Sequence, residues 1–524
     1  MLKKFAVFTT LLLLAACAPA VENGDDPLPV IPGEAAPPAA AQQNEILWIM
    51  EAAPLTLDPI RTIDVPSTWT MAQMYNGLTW FNPATGVLEP RLSHSFEHVD
   101  PYTWVFELRQ GVYFHDGFYF DADVVVLNLE RALDPEELVP NRAVVSMIAE
   151  VVALDTYTVQ ITTYFPFAPL AANLTQSPAF MVSPLAIEEE RSGGYLITER
   201  PVGTGPFRLV YHEPGHTVLM ERFDDHFAGP ALTERLRLTT IPEAATRFAV
   251  VEAGNAHGVR GQPADYAVAN EIAHLDTYIV RSSRLEYIGF NMQHEILSDI
   301  NVRRALSMAV DRQTILTYLA DDMGTLAQGP IPTVLAHAPV GLQALPYDPE
   351  AARALLEEAG FGDGFTINFW YDDGNTLKSQ VGQFLQAAWE PLNIEVIVSS
   401  LEWGAYLEQT ALGNQEIFML GWTTGTGDAD QMVFPNFHSS QLGGGGNRVF
   451  INNPELDVLI ERARMSPDPA ERDALYEEIS QMLIDDPPMI FFRFNYFVYV
   501  TNNIDGLLLS FAGNPFFHEV TIRQ

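Results

Sequence analysis

The sequence predicts an α/β protein that carries an additional α+β portion, and three observations lead there. From about residue 288 to 490, short apolar strands alternate with helices of 11 to 19 residues, the pattern of a parallel sheet with crossover helices. From about 89 to 200, strands dominate and one strong helix interrupts them. The chain is 524 residues long, more than one hydrophobic core can hold, so two or three domains are expected.

The elements follow in order. Lys3 and Lys4, the apolar run Phe5 to Leu14 and the small-residue site Leu14-Ala15-Ala16-Cys17 form an export signal over 1–17. Cys17, the only cysteine, sits where a lipobox places its acylated residue, so lipid anchoring at Cys17 is expected and no disulfide is possible. Residues 18–44 contain six prolines and no hydrophobic periodicity, which marks a stiff tether. "TWVFELRQGVYF" (103–114) reads as two strands turned at Gln110-Gly111, and "DADVVVLNLERALDP" as a helix capped by Asp121 and ended before Pro135. "TYTVQITTYF" (156–165) alternates as a strand does.

Asp348-Pro349 opens a helix that Gly360 terminates. The run continues strand 365–371, helix 376–392, strand 394–400, helix 402–412 and strand 416–422. A second Asp-Pro start gives a helix over 468–486, and 489–500 returns as a strongly apolar strand. Ligands of open α/β sheets bind outside the carboxyl ends of the strands. That singles out two loops, 372–375 and 423–430.

Chemistry is narrowed by exclusion. With 67 acidic against 28 basic residues the surface repels phosphate backbones, so nucleic acid is not an expected partner. The stretch "GWTTGTGDADQMVFPNF" (421–437) lacks the lysine of a phosphate loop, the oxygen ligand an EF-hand needs at Met432, and the glycine rhythm of a dinucleotide site. No nucleophile elbow, zincin helix or cysteine-based zinc spacing occurs. The pairs His94/His98 and His212/His216 share helical spacing but lie in stretches of strand or turn character. No catalytic residue, metal site or cofactor is therefore expected.

Longer motifs carry a resemblance. "TLDPIRTIDVPSTWTMAQMYNGLTWFNPATGVLEPRLSHSFE", "YTWVFELRQGVYFHDGFYFDADVVV", "PVGTGPFRL", "GFNMQHEILSDINVRRALSMAVDR" and "NNPELDVLIERARMSPDPAERDALYEEISQMLIDDPPMIFF" occur in order along the chain. They resemble the bacterial extracellular solute-binding proteins of family 5, the peptide- and nickel-binding components of ABC importers, from about residue 45 to the end. The resemblance implies a two-lobe periplasmic-binding-protein-like fold (type II, cluster C-like) with an extra α+β domain. One lobe would comprise 45–88, 201–287 and 490–524, the extra domain 89–200, and the second lobe 288–489.

It also implies a function without catalysis. A monomer, exported and anchored to the cell envelope, captures a short peptide or peptide-like solute between the lobes and passes it to ABC permease subunits. A nickel or metal-chelate receptor, a signalling-peptide receptor and an exported hydrolase are the alternatives. By the same resemblance, ligand contacts fall on Ala52, Ala53 and Pro54 and on the loop after Gly421-Trp422. Dipeptide and oligopeptide binders carry an amine-binding aspartate where this chain has Gly425, and Asp428 and Asp430 are the candidate substitutes. The order Thr426-Gly427-Asp428-Ala429-Asp430 is closer to the glutathione-type branch. Thr423, Thr424 and Thr426 offer hydroxyls, while Tyr371, Trp403 and Trp422 offer rings for stacking. Asp372 opens the acidic loop where dipeptide binders keep a carboxylate-binding arginine. Capping of the following helix is the competing role for both Asp428 and Asp430, and core packing the competing role for Trp403.

Overall fold

The strand Glu45–Met50 is buried along its whole length, because parallel strands flank it on both sides. The structure, a computed structural model, describes residues 44–62 and 64–523. The signal segment, Cys17 and the tether up to residue 43 lie outside the described residues.

Around that strand runs one mixed sheet of eleven strands. Its order is Ile394–Leu401, Phe365–Asp372, Ile417–Thr423, Leu275–Phe290, Met489–Asn502, Gly258–Gly261, Glu45–Met50, Arg235–Thr240, Thr217–Arg222 and Phe207–Glu213, with Gly324–Leu326 also beside Met489–Asn502. At one end, Phe365–Asp372 pairs in parallel with both neighbours, as the strand–helix alternation demands. Leu275–Phe290 then runs antiparallel to Ile417–Thr423, so the sheet is mixed rather than purely parallel. Two long strands, 16 and 14 residues, cross the middle as an antiparallel pair. Their register slips between Arg281 and Leu285, where Ser282 Oγ donates to the carbonyl of Asn495 at 2.6 Å.

Separate hydrophobic cores lie along this sheet. Ile367, Phe369, Leu385, Trp389 and Ile417 belong to one near the parallel end, and Trp48, Tyr75, Leu236 and Tyr499 to another near the far end. A second, four-stranded antiparallel sheet is ordered Ser93–Asp100, Thr103–Leu108, Thr158–Thr163, Ile148–Asp155, and has its own core with the helix Ala122–Leu133.

Local sequence chemistry sets the helix starts. Asp121, Asp348 and Asp468 each accept a backbone N–H of the first turn, and Pro349 and Pro469 occupy the first helical position. One expected strand is absent. After Leu108 the chain 110–114 folds back on itself instead: Tyr113 bridges Tyr119, the Phe114 N–H donates to the Phe118 carbonyl at 2.9 Å, and the Val112 carbonyl accepts the Phe120 N–H at 3.0 Å, so a local turn rather than a neighbouring strand takes up these backbone groups. His94 and His98 sit on the strand Ser93–Asp100, and His98 stacks on Trp104 at 4.3 Å between ring centroids.

Candidate functional site

The loop that follows the strand Ile417–Thr423 is wound around one side chain. Gln431 Oε1 accepts from Thr424 Oγ1, from the Gly425 N–H at 3.0 Å and from the Thr426 N–H at 3.1 Å. Trp422 Nε1 donates to the Gln431 carbonyl at 2.9 Å, and Ser283 Oγ pins the Thr424 carbonyl at 2.6 Å. The turn passes through Gly427 at φ 68°, where an added Cβ would lie 2.3 Å from the Phe81 ring. Glycine is therefore required there twice, for its backbone angle and for its bareness.

This winding brings Thr423, Gly425 and Gln431 to a cavity of about 490 Å³. The opposite walls come from distant segments. The helix Val65–Met74 starts at Asp64, whose Oδ2 accepts the Ser67 N–H at 2.9 Å, and it delivers Thr68, Ala72 and Tyr75. Trp80 and Phe81 follow on a short strand, and Phe511 and Phe516 approach them edge to face with ring centroids 5.3 to 6.3 Å apart. Thr175, Gln176 and Ser177 close a third side. The lining thus combines aromatic surface with side-chain amides and hydroxyls, the composition of a small-molecule site. No histidine or cysteine is among it.

The lining holds one acidic and one basic side chain, Asp64 and Arg91. Burial, and then the charge of Arg109, lower the Arg91 pKa to about 10, so it stays cationic. Gly425 presents bare backbone, and the space a side chain would take is occupied by Gln176, whose Oε1 lies 2.6 Å from an ideal Cβ. An aspartate here would have to displace that amide.

The aspartates of the loop are engaged elsewhere. Asp428 is 5% exposed and forms a two-pronged pair with Arg472, Oδ2 at 2.9 Å from Nη1 and Oδ1 at 2.7 Å from Nη2. Burial pushes its pKa up, but the Arg472 charge and hydrogen bonds outweigh that and hold it below the ordinary value. Its Oδ1 also accepts the Asp430 N–H at 2.9 Å. Asp430, 7% exposed, has Arg464 Nε 2.9 Å from Oδ1 without the alignment of a hydrogen bond. Burial wins there, and its pKa is raised. Neither carboxylate lines the cavity. The sequence offered one of them as the substitute for the missing amine anchor; in the structure both face arginines and stand outside the lining.

The remaining expected contacts are dispersed. Trp422, Thr424 and Thr426 build the loop but do not line the cavity. Asp372 is bonded to Lys378 and lines a separate hollow with Asp321 and Arg493. Tyr371 stacks on Phe369, and Trp403, half exposed, stacks on Tyr406. Ala52, Ala53 and Pro54 form the bend after Glu45–Met50, outside the lining. Arg91, Gln176 and Trp80 were not foreseen. For Arg91 a signal existed, a cation in "LEPRLSHSFE" of a cation-poor chain, though nothing local says which way it turns.

Comparison with known proteins gives the same architecture. The profile of "Bacterial extracellular solute-binding proteins, family 5 Middle" matches residues 87–444. A glutathione-binding protein, GsiB, of Pectobacterium atrosepticum is 30% identical, covering 83% of this chain and 86% of its own. The dipeptide-binding protein of Escherichia coli is 26% identical over 93% of this chain and 96% of its own. The solved structure of HbpA2 from Haemophilus parasuis superposes with a TM-score of 0.83 at 26% identity, covering 92% of this chain and all of that one. With its mixed sheet, its separate strand-rich layer and this match across most of its length, the chain belongs to the bacterial extracellular solute-binding proteins of family 5.

Proposed function

We propose that the protein is the receptor of an ABC importer that holds a short peptide or peptide-like solute, glutathione among the candidates, in the cavity beside Gly425. The lining carries this reading: aromatic surface for side chains, and amides and hydroxyls for a peptide backbone. At about 490 Å³ the cavity suits a few residues of peptide rather than a long chain. The similarity to glutathione- and dipeptide-binding proteins supports the same class. Acyl chains on Cys17 hold the protein at the membrane, and the monomer hands its ligand to the permease.

The test is calorimetric titration and thermal shift with di-, tri- and oligopeptides, glutathione and Ni²⁺. A peptide at a hundred times its Kd stabilises the folded state by about 2.7 kcal/mol, an easily read shift. If Ni²⁺ or nothing in the panel stabilises the protein, the peptide reading is wrong. Replacement of Cys17 by alanine is expected to release the protein from the membrane fraction.

A further inference from the structure

Arg91 is half-buried and differs from the interior arginines in what its Nη atoms meet; Arg247, also without a carboxylate, gives Nη1 to the Ile241 carbonyl at 3.0 Å. Arg131, Arg472 and Arg493 each pair with a carboxylate, at 2.7 Å from Asp58, Asp428 and Glu286 respectively. No carboxylate among the described residues pairs with Arg91, although the chain carries 67 acidic residues against 28 basic ones. Its side chain is nonetheless firmly held. Nε donates to Asn76 Oδ1 at 3.0 Å, and the guanidinium lies 4.2 Å from the Trp80 ring and 5.1 Å from the Phe227 ring. The backbone is fixed as well, with its N–H on the Leu78 carbonyl at 2.9 Å and its own carbonyl on Arg109 Nε at 2.6 Å. Nη1 and Nη2 have no hydrogen-bond partner among the described residues, on a side chain that lines the cavity.

A partly desolvated cation without a counter-ion is unfavourable, and an arriving anion offsets that cost. Rings over the faces and Asn76 on Nε fix the plane and the rotation, leaving the Nη pair as a preset fork. A guanidinium fork matches a carboxylate in two parallel hydrogen bonds. Asp64, the acidic residue of the lining, forms no ion pair with it and caps the helix Val65–Met74.

We propose that Arg91 is the specificity residue of this cavity and binds a carboxylate of the ligand through Nη1 and Nη2. The assignment rests on the peptide reading given above. The carboxylate can come from a peptide C-terminus or from an acidic side chain, and the probes separate the two.

Wild type, R91Q and R91K are titrated calorimetrically with tri-alanine, tri-alanine amide and the C-terminal amide of Ala-Glu, and the unfolding midpoint of each protein is recorded. R91Q is expected to weaken a carboxylate-bearing probe roughly ten- to hundred-fold and to leave tri-alanine amide unchanged, with R91K intermediate because it keeps the charge without the fork. Loss confined to tri-alanine assigns the C-terminus; loss confined to Ala-Glu amide assigns the side chain. Equal weakening of all three probes, or of none, overturns the role of Arg91 while the peptide reading stands. A wild type that binds no probe overturns the peptide reading and this assignment with it. Should R91Q unfold early, the R91K comparison of tri-alanine with its amide decides alone.

Discussion

Replacing Asp428 by alanine separates the two roles open to this carboxylate. In the structure the substitution strands Arg472 in a buried position, with His337 at 2.8 Å, the Ala463 carbonyl at 2.9 Å and Tyr476 Oη at 3.3 Å as its remaining partners and no counter-charge in contact. Breaking a buried pair from one side costs about 3–5 kcal/mol, and the Asp430 N–H loses its acceptor for about 1 kcal/mol more. We therefore expect Asp428→Ala to lower the urea midpoint, followed by tryptophan fluorescence, by an amount equivalent to about 4–6 kcal/mol. Asp428→Asn with Arg472→Met, which removes both charges, is expected to recover most of that loss. The acid limb provides a second reading. Because the folded pKa of Asp428 is depressed, its stabilisation is complete above the unfolded value of about 3.9 and disappears as pH falls through the folded value. The Asn variant should accordingly flatten that limb. An Asp428→Ala protein with an unchanged midpoint that no longer binds peptide would refute the structural role and return the residue to the ligand.

Further outcomes follow from neighbouring features. Gly427→Ala puts a Cβ into the Phe81 ring at a positive φ and should destabilise the protein by about 1–3 kcal/mol in the same urea assay. Gly425→Ala meets only the mobile end of Gln176, so stability should hardly change while the displaced amide enters the cavity and calorimetry shows weaker peptide binding. His115, His226 and His518 have pKa values lowered to about 4, 3 and 4, mainly by burial. Depressed histidines take up protons on unfolding, so stability should fall as pH drops from about 6.5 towards 4, by up to about 3 kcal/mol for each, as read from urea midpoints across that range.

The secondary structure was legible where local chemistry decides it. Asp348-Pro349 and Asp468-Pro469 name their own helix starts, and the run from 365 to 423 alternates as the parallel sheet requires. Residues 110–114 alternate equally well, yet they lack a neighbouring strand, and the pattern alone does not reveal that. The candidate site was legible in one wall. The sequence pointed to the loop after Trp422, and Thr423 and Gly425 do line the cavity. The fate of Asp428 depends on Arg472, 44 positions away, and that of Asp430 on Arg464, so no reading of the loop itself could see either charge already matched. Gln176 occupying the room beside Gly425 is a further contact between remote segments that leaves no trace in local spacing.

The two long strands, Leu275–Phe290 and Met489–Asn502, have a consequence for how the molecule can be divided. Met489–Asn502 bonds to Gly258–Gly261 with its later residues and to Gly324–Leu326 with its earlier ones, while Leu275–Phe290 accompanies it throughout. A gene fragment ending on either side of this pair would expose a row of unmatched N–H and C=O groups along a largely apolar strand, a template for aggregation. Halves expressed separately should therefore be insoluble on their own. Co-expressed pieces should reassemble only when the break falls in a surface turn, such as the positive-φ turn at Gly341, that leaves both strands whole.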